Sequence, residues 1–180
     1  MEKFISILRG INVGGQRKIP MTDLKSLYED LGFHKVITYI QSGNVIFESN
    51  KISVDALEQT IEKKIAETFN MTVPVIIRQL NEIKNVAANN PFLKMKEIDI
   101  DKLHITFLNE IPGRDIVLNI KGYDYPPDKF IIKNKEVFLY CPGGYGKTKF
   151  SNNFFENKLK VKATTRNWKT VNKLVELSAK

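Results

Sequence analysis

Between residues 4 and 77 the apolar residues change their spacing in a fixed order, and that order limits the fold more than any other feature of the chain. Phe4-Ile5-Ser6-Ile7-Leu8 alternates as a strand does, whereas Leu24, Leu27 and Leu31 recur at helical spacing. Residues 36–40 and 45–47 read as short strands joined by Gln41-Ser42-Gly43-Asn44, a turn sequence in which Gly and Asn tolerate positive φ. Ser53 stands where it can cap a long helix whose apolar stripe is Val54, Leu57, Ile61, Ile65 and Phe69. Residues 73–77 close the series as a strand, with Pro74 near its start, where a missing donor is tolerated.

The resulting order is βαββαβ, the split unit of ferredoxin-like folds. Its antiparallel sheet has strand order 4-1-3-2, so the loop leaving the first strand and the hairpin turn between the second and third emerge at one end. RGINVGGQRK and QSGN are therefore expected to be neighbours. A weaker copy of the pattern follows a linking helix at 81–88. It has a strand at 103–108, a short helix at 114–119, and a hairpin of 130–133 and 136–140 around Asn134. A helix near 149–159 and an extended piece at 161–163 complete it. A last helix, starting at Thr165 or Arg166, buries Trp168, Val171, Leu174 and Val175. The expected fold is α+β: two ferredoxin-like halves, residues 1–80 and 81–180, with antiparallel sheets and a C-terminal helix, packed as one compact unit.

Charge is placed unevenly. The chain of 180 residues carries a formal net charge of +8. Residues 1–132 hold 17 basic and 17 acidic residues, while residues 133–180 hold 11 basic residues against Glu136, Glu156 and Glu176, so the whole surplus of 8 falls there. Clustered positive charge attracts anionic partners and raises encounter rates. Apolar residues at 42% and charged residues at 27% point to a globular core, and no apolar run reaches the roughly 18–20 residues of a membrane span. MEKFISILRG reads as a strand and not as a signal peptide, and a cytoplasmic location is the expectation. One cysteine and two scattered histidines leave no metal-ligand set, and no cofactor is expected.

Five separated motifs occur in order: LRGINVGG, IPM followed by DL, LGF, YIQSGNV followed by F, and ATTRNW followed by TV. Together they resemble the bacterial family called domain of unknown function sixteen-ninety-seven, over nearly the whole chain. The resemblance implies two ferredoxin-like halves and no activity. It also implies a glycine loop of the form Gly-x-Gly-Arg/Lys-Ser/Thr, which Gly144-Tyr145-Gly146-Lys147-Thr148 fits.

Three stretches are candidate sites. CPGGYGKTKF mimics a phosphate-binding loop, but counting back from Gly146-Lys147-Thr148 puts Cys141 where the first glycine belongs, and no apolar strand ending in Asp follows for magnesium. A weaker role remains, in which glycine N–H groups converge at a helix start with Lys147 and Thr148 around an anion. The corner formed by RGINVGGQRK and QSGN offers Arg9, Asn12, Gln41, Ser42 and Asn44 to a phosphate or carboxylate. The competing reading is that Asn12 and Asn44 satisfy backbone in tight turns. In the third stretch Thr165 reads as an N-cap, with Arg166 and Asn167 completing an oxyanion seat at the helix start. Cys141, at a strand end near Lys147, is either a thiol of lowered pKa or a small apolar filler.

These features favour an anion-binding protein, with nucleic acid as the large ligand because Tyr140, Tyr145, Phe150, Phe154, Phe155 and Trp168 interleave with the basic residues. The paired strand aromatics of RNA-recognition modules are absent from FISILRG and YIQSGNVIF. The alternative is a small enzyme or ligand-binding domain for a phosphorylated metabolite. No general base stands out, so whether the chain is an enzyme is left open and no reaction is assigned. A structural or partner-binding module is the third reading. Oligomeric state is not legible.

Overall fold

The computed structural model describes residues 1–50 and 53–179. The chain divides into two compact units, one made of residues 1–84 with the end of the last helix, the other of residues 85–173. In the first, β1 (Glu2–Leu8), α1 (Met21–Asp30), β2 (His34–Tyr39), β3 (Asn44–Ser49), α2 (Val54–Phe69) and β4 (Val75–Gln79) are followed by α3 (Leu80–Ala88). In the second, β5 (Leu103–Leu108), α4 (Arg114–Ile120), β6 (Lys129–Lys133), β7 (Glu136–Tyr140), α5 (Asn152–Leu159) and β8 (Ala163–Asn167) lead into α6 (Trp168–Ser178). The sheets have strand orders β2-β3-β1-β4 and β6-β7-β5-β8, the same antiparallel topology twice.

The copies share several bonds although their sequences differ, while the β2–β3 pairing carries a register shift between His34 and Ile37 that β6–β7 lacks. Leu8 pairs with Val75 and Ile5 with Arg78; Leu108 pairs with Ala163 and Ile105 with Arg166. The Leu8 amide donates to the Gly43 carbonyl at 2.9 Å, and the Leu108 amide to that of Lys135 at 2.8 Å. Glutamates on the second helix of each unit accept from the outer strand: Glu62 from the Val75 N–H at 2.9 Å, and Glu156 from the Ala163 N–H at 3.0 Å. A carboxylate there satisfies a donor that no further strand can take up, which also blunts the sheet edge.

Glu58 does the same for the Ile77 N–H at 2.7 Å. Burial raises its carboxyl to about 7, an effect that the Ile77 bond and Arg78 oppose and that Asp55 and Glu62 reinforce. The folded state therefore keeps this proton to a higher pH than the unfolded chain. Stability from this group is fullest below about pH 4.5 and declines up to about pH 7. Glu58→Gln keeps an acceptor for Ile77 without the buried charge. At pH 8 it is expected to be more stable than the parent by on the order of 1 kcal/mol, after discounting for the water-exposed part of the carboxyl, and to lose the pH 5–7 slope in urea melts.

In the first unit the helices cover a ring cluster in which Phe47 lies 5.7 Å from Phe4, 5.4 Å from Tyr28 and 4.6 Å from Phe33. The Tyr28 hydroxyl meets Ser6 at 2.6 Å, so its one polar atom is satisfied inside the core. The second core is also aromatic, with Phe150 4.8 Å from Phe130, 5.2 Å from Tyr125 and 5.4 Å from Phe154.

Candidate functional site

The expected corner of the first unit forms. Gly14 and Gly15 turn the loop back on itself, with Val13 bridging to Gln16 and the Asn12 amide donating to the Arg17 carbonyl at 3.1 Å. The Asn12 side chain then fastens this loop to its neighbours. Its Nδ2 donates to the carbonyls of Ile19 at 2.9 Å and Gln41 at 2.8 Å, and its Oδ1 accepts from the Ile19 N–H at 2.8 Å. Asn44 is buried, with Nδ2 donating to the Tyr39 carbonyl and to Ser42 Oγ. Both amides are thus occupied with local structure, while Gln41 is exposed and Arg9 half-buried at the same end.

The third stretch differs from its expected local structure. Thr165 and Arg166 do not start a helix: residues Ala163–Asn167 form β8, and α6 begins at Trp168. Asn167 does the capping, its Oδ1 accepting from the Thr170 N–H at 2.8 Å. Thr165 instead joins a hydroxyl network. It donates to Asn152 Oδ1 at 2.7 Å, accepts from the Tyr145 hydroxyl at 3.0 Å, and lies 2.7 Å from Thr106 Oγ1. Arg166 is buried in the strand and donates to Thr164 Oγ1 and the Thr165 carbonyl, and burial lowers its guanidinium to about 10. Of the trio, Asn167 alone is exposed.

The glycine loop is also built differently from the expected nest. Gly144, at φ 92, leads into a single 3-10 turn at Tyr145–Lys147, whose following amides are used internally: Lys147 N–H on the Gly144 carbonyl and Thr148 N–H on that of Tyr145. The helix starts only at Asn152, capped by Ser151, so no helix dipole stands behind Lys147. Thr148 Oγ1 accepts from the Phe150 N–H at 3.1 Å. Tyr145 anchors the turn, stacking on His104 at 5.0 Å while its hydroxyl reaches Thr165. Cys141 is fully buried and burial pushes its thiol up to about 11, which corrects the reading of a reactive thiolate and leaves the apolar filler.

Around this loop lies a surface of alternating cations and rings. Gly143, Gly144, Lys147 and Lys149 face a hollow of about 390 Å³ whose other wall is Asp124 to Asp128, including the cis Pro126-Pro127 bond. Lys149 Nζ sits 4.8 Å above the Tyr125 ring and Lys158 Nζ 4.6 Å above Tyr123. Among the described residues Lys147, Lys149 and Lys158 form no ion pair. Sequence reasoning passed over Tyr123, Tyr125 and the two prolines, although YDYPPD between a helix and a strand carries the turn chemistry that would mark a built loop. No described helix is long and apolar enough to cross a membrane.

The family model described as a protein of unknown function (DUF1697) matches residues 1–138. A solved structure, that of the conserved bacterial protein SP0830 from Streptococcus pneumoniae, superposes with a TM-score of 0.77 at 22% identity, covering 98% of each chain. At that identity the likeness establishes the fold alone. No curated protein matches the sequence.

Proposed function

The chain belongs to the DUF1697 family, and since membership brings no activity with it, we propose from its own residues that it binds single-stranded nucleic acid on the second unit, across the glycine loop and Tyr123–Tyr125. The observation carrying this reading is the interleaving of lysines that form no ion pair with tyrosine rings, beside a hollow lined by Lys147 and Lys149. A nucleic-acid strand alternates in the same way, an anion followed by a flat ring.

Exchange energetics favour binding. An exposed cation–π contact is worth about 0.5–1 kcal/mol, and a base stacked on an aromatic ring about 1–3 kcal/mol. When Lys149 and Lys158 leave the rings for phosphates, each ring trades a weaker partner for a stronger one. Lys147 and Lys149 then hold one phosphate at the glycine turn, where the small residues let the backbone come close.

Counterion release supplies the test. For about four phosphate contacts the affinity for a single strand should fall roughly 50-fold between 50 and 200 mM salt. Replacing Lys147, Lys149 and Lys158 together with Gln removes two of those phosphate contacts and should reduce the logarithmic slope by about 1.4. Fluorescence anisotropy with a labelled deoxythymidine strand measures both, and an unchanged slope rejects the assignment. The second reading, a phosphorylated metabolite, draws on the same hollow and on the corner bearing Arg9 and Gln41. It predicts that a mononucleotide binds as tightly as a strand.

A further inference from the structure

Next to the phosphate hollow lies a larger one, about 680 Å³, walled by Phe92, Tyr123, Phe130 and Phe150. That volume falls in the range of small-molecule sites; Phe92 and Phe150 are almost fully buried, so Tyr123 and Phe130 offer the ring surface. The two hollows adjoin, with Asp124 and Asp128 bordering both. Lys121 and Lys129 stand at the larger one and Lys147 and Lys149 at the smaller, so four cations outweigh the two carboxylates across the pair. An aromatic chamber beside a lysine-lined one, with two carboxylates bordering both, has the form of a nucleotide site: a base in the first, its phosphate in the second.

We infer that the larger hollow receives a base and that Asp124 and Asp128 select guanine; the inference rests on the nucleic-acid reading above. A carboxylate offers only acceptors and binds best where two donors lie side by side. Guanine presents that pair, N1–H and the exocyclic N2–H, along its pairing edge. Adenine and cytosine place a ring acceptor beside their single amino group, and thymine flanks one N–H with two carbonyls, so each sets a lone pair against the carboxylate. The chamber also admits a purine, and stacking on rings adds affinity for any base without choosing among them.

The test uses the whole chain and short deoxythymidine strands carrying one central guanine, adenine, cytosine or thymine. The guanine strand is expected to bind about tenfold more tightly than the others. Asp124→Asn and Asp128→Asn, singly and together, should abolish that preference, while the thymidine strand binds at least as tightly as before because both carboxylates also border the phosphate hollow; Asp124 is exposed, so its variant does not put folding at issue. Equal binding of all four strands overturns the guanine site and leaves the nucleic-acid reading standing. A guanine preference that survives the double substitution overturns the role of the carboxylates. Failure to bind any strand overturns both.

Discussion

Gly43→Ala is expected to destabilise the protein by about 2–4 kcal/mol, a large effect for a single methyl group. Gly43 has φ 78, where an L side chain costs about 1–2 kcal/mol. A Cβ there would lie 2.6 Å from Ile11 Cδ1 and 2.9 Å from Leu8 Cβ. Ile11 is fully buried and has little room to yield. Leu8 Cβ is fixed to a strand whose own amide donates to the Gly43 carbonyl, so the clash falls on the backbone. Gly14→Ala is the control: its φ of 58 carries the same conformational penalty, but nothing lies within 4 Å of the added atom. Urea unfolding should therefore separate the two variants by at least about 1 kcal/mol. Equal losses would mean that the turn and the first loop are not packed together.

Phe150→Ala is expected to cost about 3–5 kcal/mol, the usual loss for an aromatic core residue. The ring is 1% exposed and has Phe130, Tyr125, Phe154 and Phe155 around it, so the neighbours cannot all close over the gap. The effect should reach the candidate site. The Phe150 N–H is bound by Thr148, and the adjoining turn depends on the Lys147 and Thr148 amide bonds. Amide exchange at Lys147 and Thr148 should quicken in the variant more than exchange in β1 or β3. A loss under about 1 kcal/mol, or unchanged exchange in the turn, would detach the loop from the aromatic core.

The parts of the fold that the sequence predicts well are those where one local signal dominates. The stripe of Leu57, Ile61 and Ile65 with a Ser53 cap can only be a helix with one buried face, and the structure has it at Val54–Phe69. The topology then brought Asn12 to within 2.8 Å of the Gln41 carbonyl, a contact that follows from strand order and from no property of either residue. The error at residues 163–167 has a physical cause. Thr165 suits a cap and a strand alike, because its hydroxyl caps and its branched Cβ favours an extended chain. Only the pairing of Thr165 with Thr106, from a strand nearly sixty residues earlier, settles the choice. Arg166 was misjudged for the same reason: a guanidinium beside two threonines reads as surface, and its burial is a tertiary fact.

Of the candidate site, the location of positive charge was legible and its partners were not. Lys147, Lys149 and Lys158 fall in the stretch that holds the whole charge surplus. The rings that Lys149 and Lys158 lie over, Tyr125 and Tyr123, precede that stretch and are brought there by the fold. The reading of CPGGYGKTKF as a phosphate loop failed on spacing, and the structure gives the sequence another task, to hold Tyr145 against His104 and Thr165 while leaving Lys147 exposed.

Amide chemical-shift mapping of the isotope-labelled protein with a short single-stranded oligonucleotide, titrated at low salt, locates a bound strand on the surface. The largest shifts are expected on residues 123–128 and 143–149, fading as salt is added. Shifts centred instead on residues 9–18 and 41–44, or none under conditions where the strand is in excess, would contradict that expectation.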